Sequence, residues 1–333
     1  NLAYLGLVEI LAGYPLDGVV LTTGCDKTTP AGLMAAATTN LPAIVLSGGP
    51  MLSGFHEGQE TGAAVIFWEA REKYAAGQIS YDELMEIVAS CTISPGHCNV
   101  MGTALSMNSL AEVLGMSLPG CAAIPAPYRQ RQQMAYATGR RSVEIVHEQL
   151  TPTKIMTRAA FENAIVANTA IGGSTNCTIH LNAIARHLGV KLSLDDWQSF
   201  GYDVPLLVNC EPAGDFLAED FYRAGGVPAV LGELQAAGRI HPEALTVTGK
   251  TVGENLADTR SLNLKVIRSV EHPLREKAGF LVLKGNLCDS ALIKTCVIGT
   301  AFCERYLSTP GEENSFTTRA VVFEGREDYY ERI

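Results

Sequence analysis

Three reactive side chains follow one another without a spacer in the segment Cys25-Asp26-Lys27: a thiol, a carboxylate and an amine. A thiolate is a soft metal ligand and a carboxylate oxygen is a hard one, so this segment carries ligands for two kinds of metal ion. The alternative is a buried cysteine beside a solvated ion pair, since free cysteine is commonly buried.

A second cysteine, Cys98, also lies between a loop-like segment and a predicted helix. Ser94-Pro95-Gly96 is typical of a loop, and it places Cys98 at the start of a predicted helix, whose free amides and dipole favour a thiolate. The alternative is a cysteine that fills a helix start without a functional role. Because Cys25 also lies between a loop and a helix, the two thiols together indicate a shared role.

Two glycine pairs supply backbone that can approach a ligand closely. Ser47-Gly48-Gly49-Pro50 follows a short apolar run, where an ordinary turn is the alternative. Gly172-Gly173-Ser174-Thr175-Asn176 precedes a predicted helix over 177–188, and its free amides and hydroxyls are typical of an anion-binding loop. The segment lacks the lysine of a Walker loop. His180, one turn into that helix, is interpreted as a hydrogen-bonded core histidine.

The elements that position Cys25 are predicted to be a strand, a loop and a helix. An apolar strand over about 17–22 precedes the loop, and Thr29-Pro30 supplies an N-cap and a first-turn proline for the helix that follows. A second apolar strand over 42–47 predicts a parallel pair joined by a crossover helix. Open α/β sheets bind ligands at the carboxyl ends of their strands, which is where Cys25 lies.

The whole pattern predicts an α/β fold, with a parallel sheet flanked by helices over residues 1–258. The character of the sequence changes from about 244, after which strand-like runs have fewer long helices between them, and a domain boundary is expected near 255–270. A β-rich, barrel-like second domain, incomplete at Ile333, is therefore predicted for 259–333. Further strand-like runs are predicted at 116–125, 204–209, 246–252, 280–286 and 320–323.

Composition excludes several classes of protein. The chain has 333 residues, of which 47% are hydrophobic and 18% charged, too apolar for disorder and long enough for about two domains. The net charge is −10 and no basic cluster is present, so nucleic acid is not expected as a partner. No apolar run reaches the ~18 residues of a membrane span. Nine irregularly spaced cysteines argue against a disulfide framework and favour the reducing cytoplasm.

Four blocks of sequence resemble the dihydroxy-acid dehydratase / 6-phosphogluconate dehydratase family, in order and along essentially the whole chain. They are residues 24–30 with 47–51, residues 96–104, residues 172–176, and Gly285-Asn286-Leu287 with Lys294-Thr295. Within the family, Thr28-Thr29-Pro30-Ala31 and residues 118–126 look most like the sugar-acid branch of L-arabinonate and D-xylonate dehydratases. The branched-chain biosynthetic branch prefers Ile-Thr-Pro-Gly at the first block.

The resemblance implies a [2Fe–2S] cluster and a Mg²⁺ ion close together. By position, Cys25 and Cys98 match two of the family's three cluster cysteines, and Asp26 matches a magnesium ligand. Lys27 matches a lysine that becomes carbamylated and binds magnesium through its carbamate oxygens, which replace an amine of pKa ~10.4 by an anionic donor. Substrate binding is assigned to Ser174, Thr175 and Asn176.

The implied activity is that of a hydro-lyase, which dehydrates an aldonic acid such as L-arabinonate or D-xylonate to the 2-keto-3-deoxy acid. Mg²⁺ is expected to bind the carboxylate and the C2 hydroxyl, while a cluster iron acts as Lewis acid on the C3 hydroxyl. A dihydroxy-acid dehydratase of branched-chain amino-acid synthesis and a non-catalytic iron–sulfur homologue are the alternatives.

The family pattern extends past both ends of the sequence. Its first cluster cysteine and an upstream acidic ligand have no match in residues 1–24, and its later acidic ligand and serine base are expected beyond Ile333. The sequence is therefore expected to be a piece of a longer protein. That protein is expected to form a homodimer or homotetramer and to act on a small sugar acid, without membrane contact.

Overall fold

The computed structural model describes residues 2–62, 65–257, 259–286, 289–311, 315 and 317–332. Contacts between residues divide the chain into two units, Asn1–Cys296 and Val297–Ile333. The helices and strands of the described residues, in chain order, are α1 (Leu2–Gly13), β1 (Val19–Thr23), α2 (Thr28–Thr39), β2 (Ala43–Ser47), β3 (Gly54–His56), β4 (Gln59–Thr61), α3 (Val65–Ala75), α4 (Tyr81–Cys91), α5 (Thr103–Val113), α6 (Arg129–His147), α7 (Pro152–Ile155), α8 (Arg158–Ala170), α9 (Asn176–His187), α10 (Leu194–Gly201), α11 (Ala218–Arg223), α12 (Gly226–Ala236), α13 (Val252–Asn255), β5 (Phe280–Leu283), β6 (Ala291–Lys294), α14 (Thr300–Tyr306) and α15 (Arg326–Arg332).

A small parallel sheet organises the first unit. Strands β1 and β2 pair in parallel with Val19 opposite Ala43 and Thr23 opposite Ser47, and α2 is the crossover helix between them. Helix α6 packs against both strands, and α5 packs against β2. The predicted parallel pair flanked by helices is therefore confirmed, because both strands are short apolar runs that must be covered on their faces.

Helices α5 and α8, which pack against each other, are largely buried. Every residue of α5 after Thr103 is buried, and α8 is buried from Asn163 to its end. Buried polar side chains on these helices need hydrogen-bond partners inside the protein. Asn108 on α5 finds its partners at the end of β1, so helix burial and site geometry are linked.

The segment 116–125 differs from its prediction as a strand. It forms successive turns, and Gly120 adopts a positive φ of 81° that a regular strand does not allow. The buried Glu112 carboxylate accepts hydrogen bonds from the backbone N–H groups of Gly120 and Ala122, at 2.6 and 2.9 Å. The backbone N–H groups of these turns therefore donate to a side chain on α5 rather than to a neighbouring strand.

Other local predictions also differ from the structure. Strands β3 and β4 form an antiparallel pair that was not among the predicted strands. Residues 204–209 form isolated bridges, and residues 320–323 have no regular structure. A capping box between Ser80 and Glu83 begins α4.

The β-rich character of the later sequence is present in one antiparallel pair, β5 with β6. Among the described residues no closed barrel is formed, so the barrel-like second domain stays a prediction. The predicted domain boundary also stays a prediction, since Asp258 lies outside the described residues. The second unit, taken by itself, contains α14 and α15.

Across the described ranges, every helix is too short or too polar to span a bilayer.

Candidate active site

The loop between β1 and α2 carries the thiol, the carboxylate and the amine. The Cys25 side chain is exposed and free, and its Sγ lies 3.5 Å from Asp26 Oδ1. Lys27 Nζ donates to Asp26 Oδ2 at 2.7 Å, and this hydrogen bond holds the pKa of Asp26 below its usual value, against the opposing effect of burial. The side chain of Lys27 is 68% exposed, so small molecules in solution can reach its amine.

A buried asparagine fixes the backbone of this loop. Asn108 Nδ2 donates to the carbonyls of Gly24 and Ala104, at 3.0 and 2.9 Å. Its Oδ1 accepts from the hydroxyls of Thr23 and Thr29, at 3.1 and 3.2 Å. The amide thereby joins the end of β1 and the first turn of α2 to α5, and it places Cys25 between two anchored positions.

The loop that follows β2 lies between the two cysteine-bearing loops. Gly48 N donates to Thr23 O at 2.6 Å on one side, and Gly49 O accepts from His97 N at 3.0 Å on the other. Gly49 has a positive φ of 85°, and a Cβ there would lie 2.2 Å from Ile124 O. Only glycine fits this position, so the predicted close backbone approach is present, although its neighbours are protein loops.

Cys98 lies within electrostatic reach of Cys25. Burial is the main cause that raises the pKa of the Cys98 thiol, and the negative charges of Cys25 and Glu211 raise it further. Hydrogen bonds from the backbone of Val100 and Asn99 act in the opposite direction. Two cysteines that are 73 positions apart in the sequence therefore share one region, and backbone amides are available to stabilise a thiolate.

The residue before Cys98 is a neutral, buried histidine. Burial lowers the pKa of His97 to about 4, so its ring is uncharged near pH 7. His97 Nδ1 donates to the Cys98 carbonyl at 2.9 Å, and its Nε2 is buried with no partner among the described residues. The ring thus fixes the backbone that carries Cys98.

The Gly-Gly-Ser-Thr-Asn segment meets the helix that follows Cys98. The hydroxyls of Ser174 and Thr103 lie 2.8 Å apart, and Asn176 Nδ2 donates to the same Thr103 hydroxyl at 3.0 Å. Lys294 Nζ donates to the carbonyl of Gly172 at 2.7 Å and holds the start of the segment. The structure therefore gathers side-chain hydroxyl and amide groups here; Thr175 is exposed and borders them.

His180 is the residue that the sequence analysis interpreted incorrectly. The structure places it half-buried on α9, in electrostatic interaction with Asp26 and Lys27. Its Nε2 is buried and has no hydrogen-bond partner in the part of the chain that is described. The expected hydrogen-bonded core histidine is thus a residue beside the proposed metal ligands. Its spacing of four from Asn176 was a signal, since such residues share a helix face.

The side chains of the Cys25-Asp26-Lys27 loop and Cys98 could supply some of the ligands of the implied [2Fe–2S] cluster and some of those of the implied Mg²⁺ ion. Two thiols within electrostatic reach of each other suit iron, and the Asp26 carboxylate beside a reactive amine suits a hard cation. Within the described ranges, however, no set of three or more histidine, cysteine, aspartate or glutamate side chains forms a complete metal site. The buried, unpartnered His180 Nε2 indicates that a polar group absent from these residues belongs beside Asp26 and Lys27.

Most of the residues assigned from the sequence lie near one another. Cys25, Asp26 and Lys27 share one loop with Cys98 in electrostatic reach, while Ser174 and Asn176 are joined to the helix that follows Cys98. Their roles as ligands and substrate-binding groups stay predictions. The sequence analysis did not identify Thr103, Asn108, His180 or Glu211 as neighbours of this site.

The family described as dihydroxy-acid/6-phosphogluconate dehydratase N-terminal matches residues 1–255. The chain is 58% identical over 333 residues to the D-xylonate dehydratase of Caulobacter vibrioides, covering all of this chain and 56% of that protein.

Two further relatives extend this comparison. The L-arabinonate dehydratase of Rhizobium leguminosarum is 47% identical over 334 residues, which cover all of this chain and 56% of that protein. A dihydroxy-acid dehydratase of Caldicellulosiruptor saccharolyticus is 41% identical over 325 residues, covering 97% of this chain and 57% of that protein. The chain spans about half the length of the curated relatives it matches.

Proposed function

Because the chain belongs to the dihydroxy-acid/6-phosphogluconate dehydratase family, we propose that the protein containing it is a sugar-acid dehydratase. The proposed substrate is an aldonic acid of the D-xylonate or L-arabinonate type, and the proposed product is the 2-keto-3-deoxy acid. Identity of 58% over the whole chain to a D-xylonate dehydratase, against 41% to a dihydroxy-acid dehydratase, supports the sugar-acid class. The proximity of Cys25 to Cys98, beside Asp26 and Lys27, is the structural observation that carries the proposal.

We propose that Cys25 and Cys98 hold a [2Fe–2S] cluster and that Asp26 and Lys27 hold Mg²⁺. When bound, these groups supply Lewis-acid activation of the departing hydroxyl and charge stabilisation at the carboxylate end of the substrate. The two thiols are part of a set that needs further ligands, and those are proposed to come from the rest of the longer protein.

Lys27 needs a chemical change before it can bind a cation. Its neutral amine adds to CO₂: an Nζ–C bond forms, one C–O π bond opens, and a proton leaves the nitrogen for solvent. The product is a carbamate anion next to the Asp26 carboxylate, in place of the ion pair that now joins the two side chains at 2.7 Å. Two adjacent anions repel each other, so a divalent cation stabilises this arrangement.

Ser174, Thr175 and Asn176 are proposed to bind the polar groups of the sugar acid. Ser174 and Asn176 already contact the Thr103 hydroxyl, so a hydroxylated substrate can exchange hydrogen bonds with a preformed polar cluster. The serine base of the reaction is proposed to lie outside this sequence, since the chain covers 56% of its relative's length.

The test is an assay of the longer protein, purified without oxygen and supplied with Mg²⁺. Formation of 2-keto acid is measured from D-xylonate, L-arabinonate and 2,3-dihydroxyisovalerate. The proposal expects kcat/KM for one sugar acid to exceed that for dihydroxyisovalerate by at least about tenfold, or about 1.4 kcal/mol in transition-state stabilisation. A preference for dihydroxyisovalerate would assign the branched-chain activity, and no turnover with bound cluster would favour the non-catalytic homologue.

A further inference from the structure

His180 stands beside the Cys25-Asp26-Lys27 loop without taking part in the chemistry proposed above. It lies one turn into α9, and α9 packs against α2, the helix that begins directly after Lys27. The ring interacts electrostatically with both Asp26 and Lys27. The charged groups of the loop therefore form part of its chemical environment.

The ring nitrogen Nε2 of His180 is buried and lacks a hydrogen-bond partner among the residues that the structure describes. Leaving a buried polar atom unsatisfied costs free energy, so a partner is expected in the working protein. Asp26 already receives a hydrogen bond on each oxygen, from the Cys25 thiol at 3.5 Å and from Lys27 at 2.7 Å. The Lys27 ammonium has three N–H donors and directs one to Asp26. None of them reaches His180 Nε2, which has no hydrogen-bond partner among the described residues.

Carbamylation would change this environment, because it replaces a donor at Lys27 by two acceptor oxygens. We propose that His180 is a positioning residue, whose Nε2–H donates to a carbamate oxygen on Lys27 and orients it toward the cation. This inference rests on the proposed function and adds a residue to it. Histidine or carboxylate partners commonly orient metal ligands in this way, and their loss weakens metal binding about 10- to 100-fold.

Two polar substitutions separate this role from simple packing. Glutamine reaches the position of Nε2 with an amide N–H, whereas asparagine is shorter and does not. We expect His180→Asn in the longer protein to weaken Mg²⁺ binding by about tenfold or more and to lower the carbamylated fraction of Lys27, while His180→Gln retains most of both. Calorimetry measures the affinity for Mg²⁺. Mass spectrometry, after the carbamate formed under ¹³CO₂ has been alkylated, measures the carbamylated fraction of Lys27.

His187 on the same helix provides the matched control. Its Nδ1 lies 2.9 Å from the Thr38 hydroxyl and its ring contacts Tyr4, at the other end of α9. His187→Asn is expected to leave the carbamylated fraction and the Mg²⁺ affinity unchanged. The absorption of the cluster reports that each variant is folded.

Three results would overturn the inference. Wild-type values in His180→Asn, or equal losses in the asparagine and glutamine variants, would show that Nε2 does not position the carbamate. An unmodified Lys27 in the active wild-type protein would remove the proposed acceptor. Failure of the proposed function is recognised separately, as a wild-type protein that carries the carbamate and turns over no aldonic acid.

Discussion

Asn108 and Gly24 are joined by a hydrogen bond of 3.0 Å across 84 positions of the sequence, from the buried side-chain amide to the backbone carbonyl. Gly24 immediately precedes Cys25, so a residue in the interior of α5 determines where the first reactive side chain lies. The amide makes three further hydrogen bonds, to Thr23, Thr29 and Ala104. Because both its donor and its acceptor atoms are satisfied, the side chain can be buried without an energetic penalty.

Asn108→Ala is expected to destabilise the protein strongly. It removes four hydrogen bonds and takes their partners from the buried Thr23 hydroxyl and the Gly24 carbonyl, at a cost of about 2–4 kcal/mol in the free energy of unfolding. Urea titration followed by circular dichroism measures the change. Gln132→Ala, at an exposed amide on α6, is the control and is expected to have little effect. Equal stability of the two variants would contradict the anchoring role.

Cys25→Ser and Cys98→Ser are each expected to abolish the visible absorption of the cluster in the anaerobically purified longer protein. Serine replaces the thiolate that iron prefers by a weak, protonated oxygen ligand. Cys303→Ser, in the second unit, should retain wild-type iron content. Unchanged iron in either of the first two variants would show that the missing thiol is not a ligand.

Lys27→Arg should eliminate turnover while the cluster absorption persists. The guanidinium keeps the positive charge beside Asp26 but does not form a stable carbamate, and it stays protonated in proteins. Lys250→Arg, an exposed conservative change, is expected to keep full activity. Normal turnover by Lys27→Arg would exclude the carbamate role.

Gly49→Ala is expected to cost more stability than Gly58→Ala. Both glycines have positive φ, 85° and 80°, so alanine is strained at each by roughly 1–2 kcal/mol. A Cβ at Gly49 would lie 2.2 Å from Ile124 O, whereas no atom lies within 4 Å at Gly58. The excess is expected to be about 1–3 kcal/mol in the free energy of unfolding. Equal costs in the two variants would show that the loop around Gly49 relaxes freely.

The buried Glu112 carboxyl group is expected to make the free energy of unfolding depend on pH. Burial raises its pKa in the folded protein to about 7, against the opposing effect of hydrogen bonds from Ala122 and Gly120. The folded state then binds a proton more tightly than the unfolded state, so this group contributes stability below about pH 4.5 that is lost as pH rises toward 7. The free energy of unfolding is expected to fall by an amount on the order of 1–3 kcal/mol over this pH range.

Glu112→Gln tests this pH dependence because it removes the titrating proton. Urea titrations at pH 5 and pH 8 should show a smaller difference in unfolding free energy for the variant than for the wild type. The same difference in both proteins would mean that Glu112 does not titrate in this range.

The sequence predicted the parallel pair of β1 and β2, the crossover α2 and the loop that carries Cys25. Those features depend on local signals: an apolar run, a glycine and a proline at the first turn of a helix. The strand predicted over 116–125 was wrong because its backbone partner is Glu112, a side chain on another element.

The candidate site was predicted to a similar extent. Cys25, Asp26, Lys27 and Cys98 were identified as candidates by residue type and by position near predicted helix starts. The helix predicted to start at Cys98 begins only at Thr103, so that part of the prediction was wrong. Asn108 was missed because a single polar residue in an apolar helix does not reveal its partners, and His180 was missed because its neighbours come from another segment. Contacts of this kind depend on how α2, α5 and α9 pack, which residue patterns along one helix do not specify.

The most direct test of the shared-iron proposal is a crystal structure of the longer protein, grown without oxygen, with anomalous diffraction measured at the iron edge. We expect iron density within bonding distance of the sulfurs of both Cys25 and Cys98, with oxygen ligands from Asp26 and a modified Lys27 beside it. Iron bound to neither sulfur, or to one of them alone, would contradict the shared cluster on which the proposed function depends.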